Sequence, residues 1–210
     1  MGFYRKIETN DGLIGIWKLE EKPEELLNQV QLSTNETLRF SQIKFERRQA
    51  EFLATRLLLN KLLDAHVRIG YEENGKPFLK DHCKNISISH SINFVCVFIS
   101  KKNIGIDVEL STRPIDRVAN RFLHPNELEY ISGLRNPQLA KIAYWAAKEA
   151  IFKCSPEQGI EFSKQIQIDH FDPETEKQFS AKLIFSEKIL NYHLVCEQIE
   201  NNVLVYCVEE

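Results

Sequence analysis

Hydrophobic residues along the chain follow two periods. From Phe45 to His66, "FERRQAEFLATRLLLNKLLDAH", apolar side chains fall at 45, 52, 53, 57, 59, 62 and 63, close to the helical repeat, with the basic residues mostly off that stripe. This predicts a first long helix. A second, "PQLAKIAYWAAKEAIFKC", opens at Pro137 and is terminated by Pro156 and Gly159. A shorter helix is expected after Pro114, and another in "HPNELEYISGL", where Pro125 lies near the start and Gly133 near the end. Between the helices, "DGLIGIWKL", "NISISHS", "NFVCVFIS" and "IGIDVEL" read as strands, the last two joined by "KKN" as a hairpin. Asn74-Gly75 and Pro77 in "YEENGKPFL" mark a turn between extended segments. "KQIQIDHF", "FSAKLIF", "YHLVCEQ" and "NVLVYCVEE" read as strands of an antiparallel sheet.

The order is therefore strand, long helix, strands, then long helix and strands again. It predicts an α+β chain of two similar lobes, each a long helix packed on a mostly antiparallel sheet, related by a pseudo-two-fold. The boundary falls near residue 102, giving an N-terminal lobe over 1–102 and a C-terminal lobe over 103–210. With 210 residues, 43% of them hydrophobic, a sizeable core is within reach. The net charge of −3 offers no general attraction for nucleic acid or an anionic membrane. No run approaches the roughly 20 apolar residues of a membrane span, and "MGFYRKIETNDG" lacks the apolar stretch of a secretory signal, so a cytoplasmic protein is expected. Five cysteines, none in a Cys-x-x-Cys pair, read as free thiols rather than a disulfide framework or a zinc site.

Candidate chemistry interrupts the apolar pattern in four places. In "NIGIDVEL", Asp107 and Glu109 project from one face of a strand while Ile106 and Val108 face the core. Two carboxylates this close repel, and burying them costs several kcal/mol unless a cation compensates; a hard divalent ion such as Mg²⁺ suits the need. A solvated half-exposed face is the plain alternative. In "WAAKEAIFK", Trp145, Glu149, Phe152 and Lys153 fall along one side of a helix, and Ala146, Ala147 and Ala150 permit close backbone approach. An ordinary surface ion pair between Glu149 and Lys153 is the competing account. His90, between Ser89 and Ser91 at a strand end, offers donors to a phosphate, and Arg48 and Arg56 lie two turns apart on related helix faces.

These segments, in this order, resemble the two-lobed type of the 4′-phosphopantetheinyl transferase superfamily. The (I/V)-G-(I/V)-D-x-E hallmark is met by Ile104-Gly105-Ile106-Asp107-Val108-Glu109. W-(S/C/T)-x-K-E-(S/A)-x-x-K is met by Trp145, Lys148, Glu149, Ala150 and Lys153, with Ala146 departing where a small polar residue is usual. "NGKPFL" and "NISISHS" match the G-K-P and S-H-S segments, so the likeness runs from about Arg47 to Lys153.

The resemblance implies transfer of the phosphopantetheine arm of coenzyme A to a serine of an apo acyl or peptidyl carrier protein, releasing adenosine 3′,5′-bisphosphate. It implies Mg²⁺, or Mn²⁺, held by Asp107, Glu109 and Glu149, with Lys153 on phosphate charge and Glu149 as the candidate general base. Lys148, one residue away on the helix, points about 100° aside. Glu127 in "HPNELEY" is the second candidate for base or an extra ligand. Ser89, His90, Lys76 and Pro77 would line the nucleotide end of coenzyme A, and Arg48 and Arg56 would meet its 3′-phosphate. A monomer is implied, since two lobes in one chain can build what shorter members assemble between subunits. The alternatives are a non-catalytic module that binds coenzyme A and carrier, and a metal-dependent nuclease, which the absence of a basic tract disfavours.

Overall fold

In the computed structural model, which describes residues 2–80 and 82–210, the chain adopts the α+β class that the periodicities predict. It divides into two compact units that break after Lys101.

The first unit is built on strands β1 (Phe3–Thr9), β2 (Gly12–Lys18), β5 (Asn85–His90) and β6 (Phe94–Ser100), in the antiparallel order β1-β2-β6-β5. A short hairpin of β3 (Ile69–Tyr71) and β4 (Pro77–Leu79) forms a separate two-stranded sheet, whose Ile69 and Leu79 join the core of the unit. Its turn is the one Asn74-Gly75 predicts: Gly75 has φ +87, a left-handed conformation that glycine adopts at no steric cost. Two short helices, α1 (Pro23–Leu27) and α2 (Thr34–Ser41), precede the long α3 (Glu46–Leu63). From α3, Ala50, Leu53, Ala54, Leu58 and Leu59 form one core with Trp17, Ile86, Val95, Val97 and Ile99 of the sheet.

The second unit begins with β7 (Ile104–Leu110), followed by a single 3₁₀ turn and α4 (Ala119–Phe122), α5 (Pro125–Ser132), α6 (Pro137–Cys154) and α7 (Phe162–Gln165). Strands β8 (Ile166–Ile168), β9 (Gln178–Phe185), β10 (Lys188–Ile199) and β11 (Asn202–Glu209) complete an antiparallel sheet of order β7-β11-β10-β9-β8. Helix α6 starts where Pro137 occupies the first turn and the Asn136 side chain accepts from Leu139 N at 3.1 Å.

Several features were not legible in the pattern. Strand β1 and helices α1, α2 and α7 had no predicted counterpart, because β1 alternates around charged residues and the three helices are short. The expected hairpin between "NFVCVFIS" and "IGIDVEL" does not form. Strand β6 is buried along its whole length and is hydrogen-bonded on both edges, to β2 and β5, while β7 pairs with β11. A strand with two occupied edges has none to offer its successor, so "KKN" connects two sheets. No helix among the described residues is long and apolar enough to cross a membrane.

Helix α6 approaches β7 more closely than a side chain would allow. A Cβ on Gly105 would overlap the Ala150 carbonyl oxygen and lie 3.1 Å from Cys154 N. The obstacle is backbone, which has little freedom to yield. Gly105→Ala is therefore expected to lower stability by roughly 1–3 kcal/mol in urea unfolding. Gly133→Ala, whose Cβ would meet only Tyr130 O at 3.5 Å, should be nearly neutral. Equal midpoints for the two variants would refute the close-approach argument.

Candidate active site

Residues 105, 107 and 109 share one face of β7, and that face meets helix α6. The register repeats it across the sheet, where Gly105, Asp107 and Glu109 oppose Cys207, Val205 and Val203. These three β11 residues join Ala150 and Cys154 in the core of the unit. Ile106 and Val108 are buried as expected, but they do not belong to that core cluster. Both faces of β7 are therefore covered, and what the sequence reading did not anticipate is that the acidic face lies against the helix, with Asp107 only 5% exposed.

Helix α6 answers each acid with a donor. Lys153 Nζ lies 2.7 Å from Asp107 Oδ1 and also donates to Ile106 O at 3.1 Å. Trp145 Nε1 donates to Glu109 Oε1 at 2.8 Å, and Arg113, just beyond β7, pairs with the same oxygen. The indole is fixed by edge contact with Phe122 at 5.0 Å and by Phe162 at 5.8 Å. The surface pair Glu149–Lys153 that helix spacing allowed is not formed. Lys153 turns to the strand instead, and Glu149, half-buried between them in sequence, accepts no hydrogen bond from the described residues.

Burial, then repulsion from Asp107 and Glu109, raises the Glu149 carboxyl to about 7, against the pull of Lys153 and Arg113. Glu109 is raised by burial and by Asp107, with the Trp145 donor, Arg113 and Lys153 opposing. The three carboxylates thus feel one another, and all offer hard oxygen. No group of three or more His, Cys, Asp or Glu among the described residues is already drawn together as a finished metal cage. Lys153 and Arg113 do the neutralising in its place. The donor set nonetheless fits a small hard cation: Trp145 and Arg113 both fall on Oε1 of Glu109, and Glu149 accepts no hydrogen bond from the described residues.

Glu127 lies elsewhere. It is buried with Lys148, Oε2 to Nζ 2.7 Å, and the lysine also donates to Phe162 O and Ile166 O. Oε2 accepts from His124 N, capping α5, and Oε1 accepts from Ile168 N. Both oxygens are occupied and both side chains almost wholly enclosed, so this pair ties α5, α6 and β8 together. Burial pulls the Lys148 pKa down, while Glu127 holds it up.

In the first unit, Arg48, Arg56, Pro77 and His90 line one open groove of about 640 Å³, with Arg39, Lys44, Phe45, Glu51 and Tyr71 among its other walls. Arg48 Nη1 is 2.8 Å from His90 Nε2 and 2.9 Å from Glu51 Oε2. Arg47 is held by Glu51 Oε1 and by Ser91 O. Arg56 is nearly buried, its Nε 2.9 Å from Glu36 Oε1 and its guanidinium over the Phe52 ring, so it braces α2 against α3 from the groove floor. Lys76, in the β3–β4 turn, and Ser89, buried on β5, do not line the groove. Sequence reasoning passed over Glu51, although its i+4 and i+3 spacing from Arg47 and Arg48 is a signal for helical ion pairs. It also passed over Arg113, which carries no periodicity.

The raised Glu149 carboxyl has a consequence for stability. Its ordinary value is 4.5, so between about 4.5 and 7 the folded chain holds more proton there than the unfolded chain. This group's contribution to stability then falls as pH rises through that window, and the penalty is complete above it. In metal-free buffer Glu149→Gln should withstand more urea than the parent at about pH 8, the difference shrinking toward pH 4.5. An unchanged midpoint at the higher pH would mean that the carboxylate is well solvated.

A family model described as the 4′-phosphopantetheinyl transferase superfamily matches residues 103–207. The chain is 30% identical over 174 residues to the 4′-phosphopantetheinyl transferase HetI of Nostoc sp., covering 74% of this chain and 73% of that protein. It is 29% identical over 178 residues to a putative 4′-phosphopantetheinyl transferase of Haemophilus influenzae, covering 78% and 72%. It is 32% identical over 107 residues to the transferase gsp of Aneurinibacillus migulanus, covering 49% and 45%. The matched segment of the family holds β7 and α6 together, the two elements whose contact brings Lys153 to Asp107 and Trp145 to Glu109. The chain belongs to the 4′-phosphopantetheinyl transferase superfamily.

Proposed function

We propose that this chain transfers the 4′-phosphopantetheine group of coenzyme A to a serine hydroxyl of an apo acyl or peptidyl carrier protein, with Mg²⁺ or Mn²⁺, and releases adenosine 3′,5′-bisphosphate. The observation that carries the proposal is the ion pair of Lys153 with Asp107 across the β7–α6 contact, beside Glu109 and Glu149, in a member of this superfamily.

In the reaction, the serine Oγ attacks the phosphorus that bears the pantetheine arm, the bond from that phosphorus to the bridging oxygen breaks, and the bridging oxygen leaves with the nucleotide. Asp107, Glu109 and Glu149 would hold the divalent cation, which supplies Lewis-acid stabilisation of charge developing on the pyrophosphate. Lys153, fixed to β7 through Asp107 and Ile106 O, places a positive charge where non-bridging oxygens become more negative. A Glu149 carboxylate oxygen, which receives no hydrogen bond from the described residues and lies beside Asp107 and Lys153, is the base proposed to take the serine proton. Glu127 is assigned no chemical step, since its oxygens are spent on Lys148, His124 N and Ile168 N.

The groove of the first unit is the proposed seat of the nucleotide. Arg48 and His90 present donors at its wall, pre-set by Glu51, while Arg56 and Pro77 shape its floor and rim. The proposal thus gives nucleotide recognition to residues 1–102 and reaction to 103–210, in a cytoplasmic monomer whose five cysteines are free thiols.

Incubation with coenzyme A, Mg²⁺ and an apo carrier should add one phosphopantetheine, read by intact-protein mass. Asp107→Ala should abolish turnover while leaving carrier binding intact. Glu149→Gln should slow transfer by about 10²-fold or more. If several unrelated apo carriers, including one encoded beside this gene, remain unmodified while coenzyme A binds normally, a non-catalytic binding module becomes the better reading. An unimpaired Glu149→Gln would remove that residue from both of its roles.

A further inference from the structure

Arg113 is placed with more care than a surface loop requires. It follows β7 by three residues, in a turn closed by its own N–H to Leu110 O at 3.0 Å. Its carbonyl accepts from Gln138 Nε2 at 2.8 Å, which fixes the loop to the start of α6. The guanidinium carbon stands 5.4 Å from the centre of the Trp145 ring, and Nη1 pairs with Glu109 Oε1, the oxygen that also receives the indole N–H. Backbone, aromatic face and carboxylate therefore hold it from three sides. Its side chain nevertheless remains 44% exposed, and of the guanidinium nitrogens only Nη1 has a side-chain partner. The other donors have no side-chain partner among the described residues.

A guanidinium presents a planar fork that matches phosphate oxygens. Here that fork is partly exposed, with one nitrogen on Glu109, and this ion-pair partner is a carboxylate that the proposed function assigns to a divalent cation.

We infer that Arg113 is a further substrate-binding residue, which contacts a phosphate of the coenzyme A pyrophosphate once Glu109 is neutralised by the divalent cation. The inference rests on the transferase reading. In the metal-free chain Arg113 is the counter-ion of Glu109; with cation and substrate bound, its fork passes to the phosphate while the stack on Trp145 keeps it beside the site. Arg113 and Mg²⁺ then compete for Glu109 when no substrate is present and act together when it is.

The test is made on the full chain with Arg113→Ala and Arg113→Lys. Mg²⁺ alone is followed by thermal shift, and coenzyme A and 3′-dephospho-coenzyme A with Mg²⁺ by titration calorimetry. In Arg113→Ala the shift caused by Mg²⁺ alone should be as large as in the parent or larger. The affinity for coenzyme A should fall by roughly tenfold or more, with the same factor for the 3′-dephospho form, and Arg113→Lys should recover part of it. An affinity within about twofold of the parent would overturn the inference, as would loss of the Mg²⁺ shift, which would make Arg113 a support for Glu109 only. A parent protein that binds no coenzyme A in the presence of Mg²⁺ would overturn the transferase reading and this inference with it.

Discussion

The second unit depends on a contact between two backbones. Gly105 of β7 lies so near Ala150 and Cys154 of α6 that no side chain fits between them. The contacts of α6 with the acids of β7 depend on that approach. Lys153 is three residues beyond Ala150, and its flexible stem reaches Asp107 only because the last turn of the helix rests on the strand. Trp145, five residues before Ala150, lays its N–H on Glu109 for the same reason. Ala146, Ala147 and Ala150 have no exposed surface, so the helix meets its neighbours through its smallest side chains. Small residues on both sides shorten the separation until functional groups of ordinary length can meet.

That approach creates an electrostatic conflict, which the chain leaves partly unresolved. Asp107 and Glu109 are brought under a helix whose nearest acid is Glu149, and burial raises Glu109 and Glu149 before any charge acts. Two cations moderate the repulsion, each on a different strand acid, and neither forms an ion pair with Glu149. A purely structural cluster would pair every acid, because an unpaired buried charge costs more than a pair gains. Retaining one acid without a partner makes sense if a further cation is part of the working state.

How much of this was legible in the sequence varied with the kind of information each segment carried. Periodicity identified both long helices and most of the strands, because burying one face imposes a repeat that the sequence records. It identified "IGIDVEL" as a strand but neither its partner nor which face is covered: β7 is buried on both faces over most of its length, so alternation gives no sign of which side meets the helix. The residue types of the site were readable from the family-like motifs, yet their contacts are set by geometry that the motifs do not carry. Arg56 and Glu127 both looked like groups that could meet a ligand; each is buried against an opposite charge from another element, Glu36 and Lys148. Such pairs join residues 20 or 21 positions apart, and no local pattern encodes them. Arg113 was missed for the converse reason, since a lone arginine in a turn looks like any solvated charge until the fold sets it beside Trp145.

Lys148 and Lys153 show how one helix serves two purposes with one residue type. They are five residues apart on α6, which turns them about 140° from each other. Lys148 enters the core, where three oxygens, from Glu127, Phe162 and Ile166, receive its three N–H donors. An ammonium satisfied in this way has no donor left for a substrate, and its burial is stabilising only while all of those acceptors stay in place. Lys153 has two acceptors, Asp107 Oδ1 and Ile106 O, and its side chain is 27% exposed. One donor therefore remains uncommitted among the described residues. The KE pair of the motif, Lys148 and Glu149, thus divides between the two: the lysine anchors the helix inside the unit, and the acid beside it feels the charges of Asp107, Lys153 and Glu109.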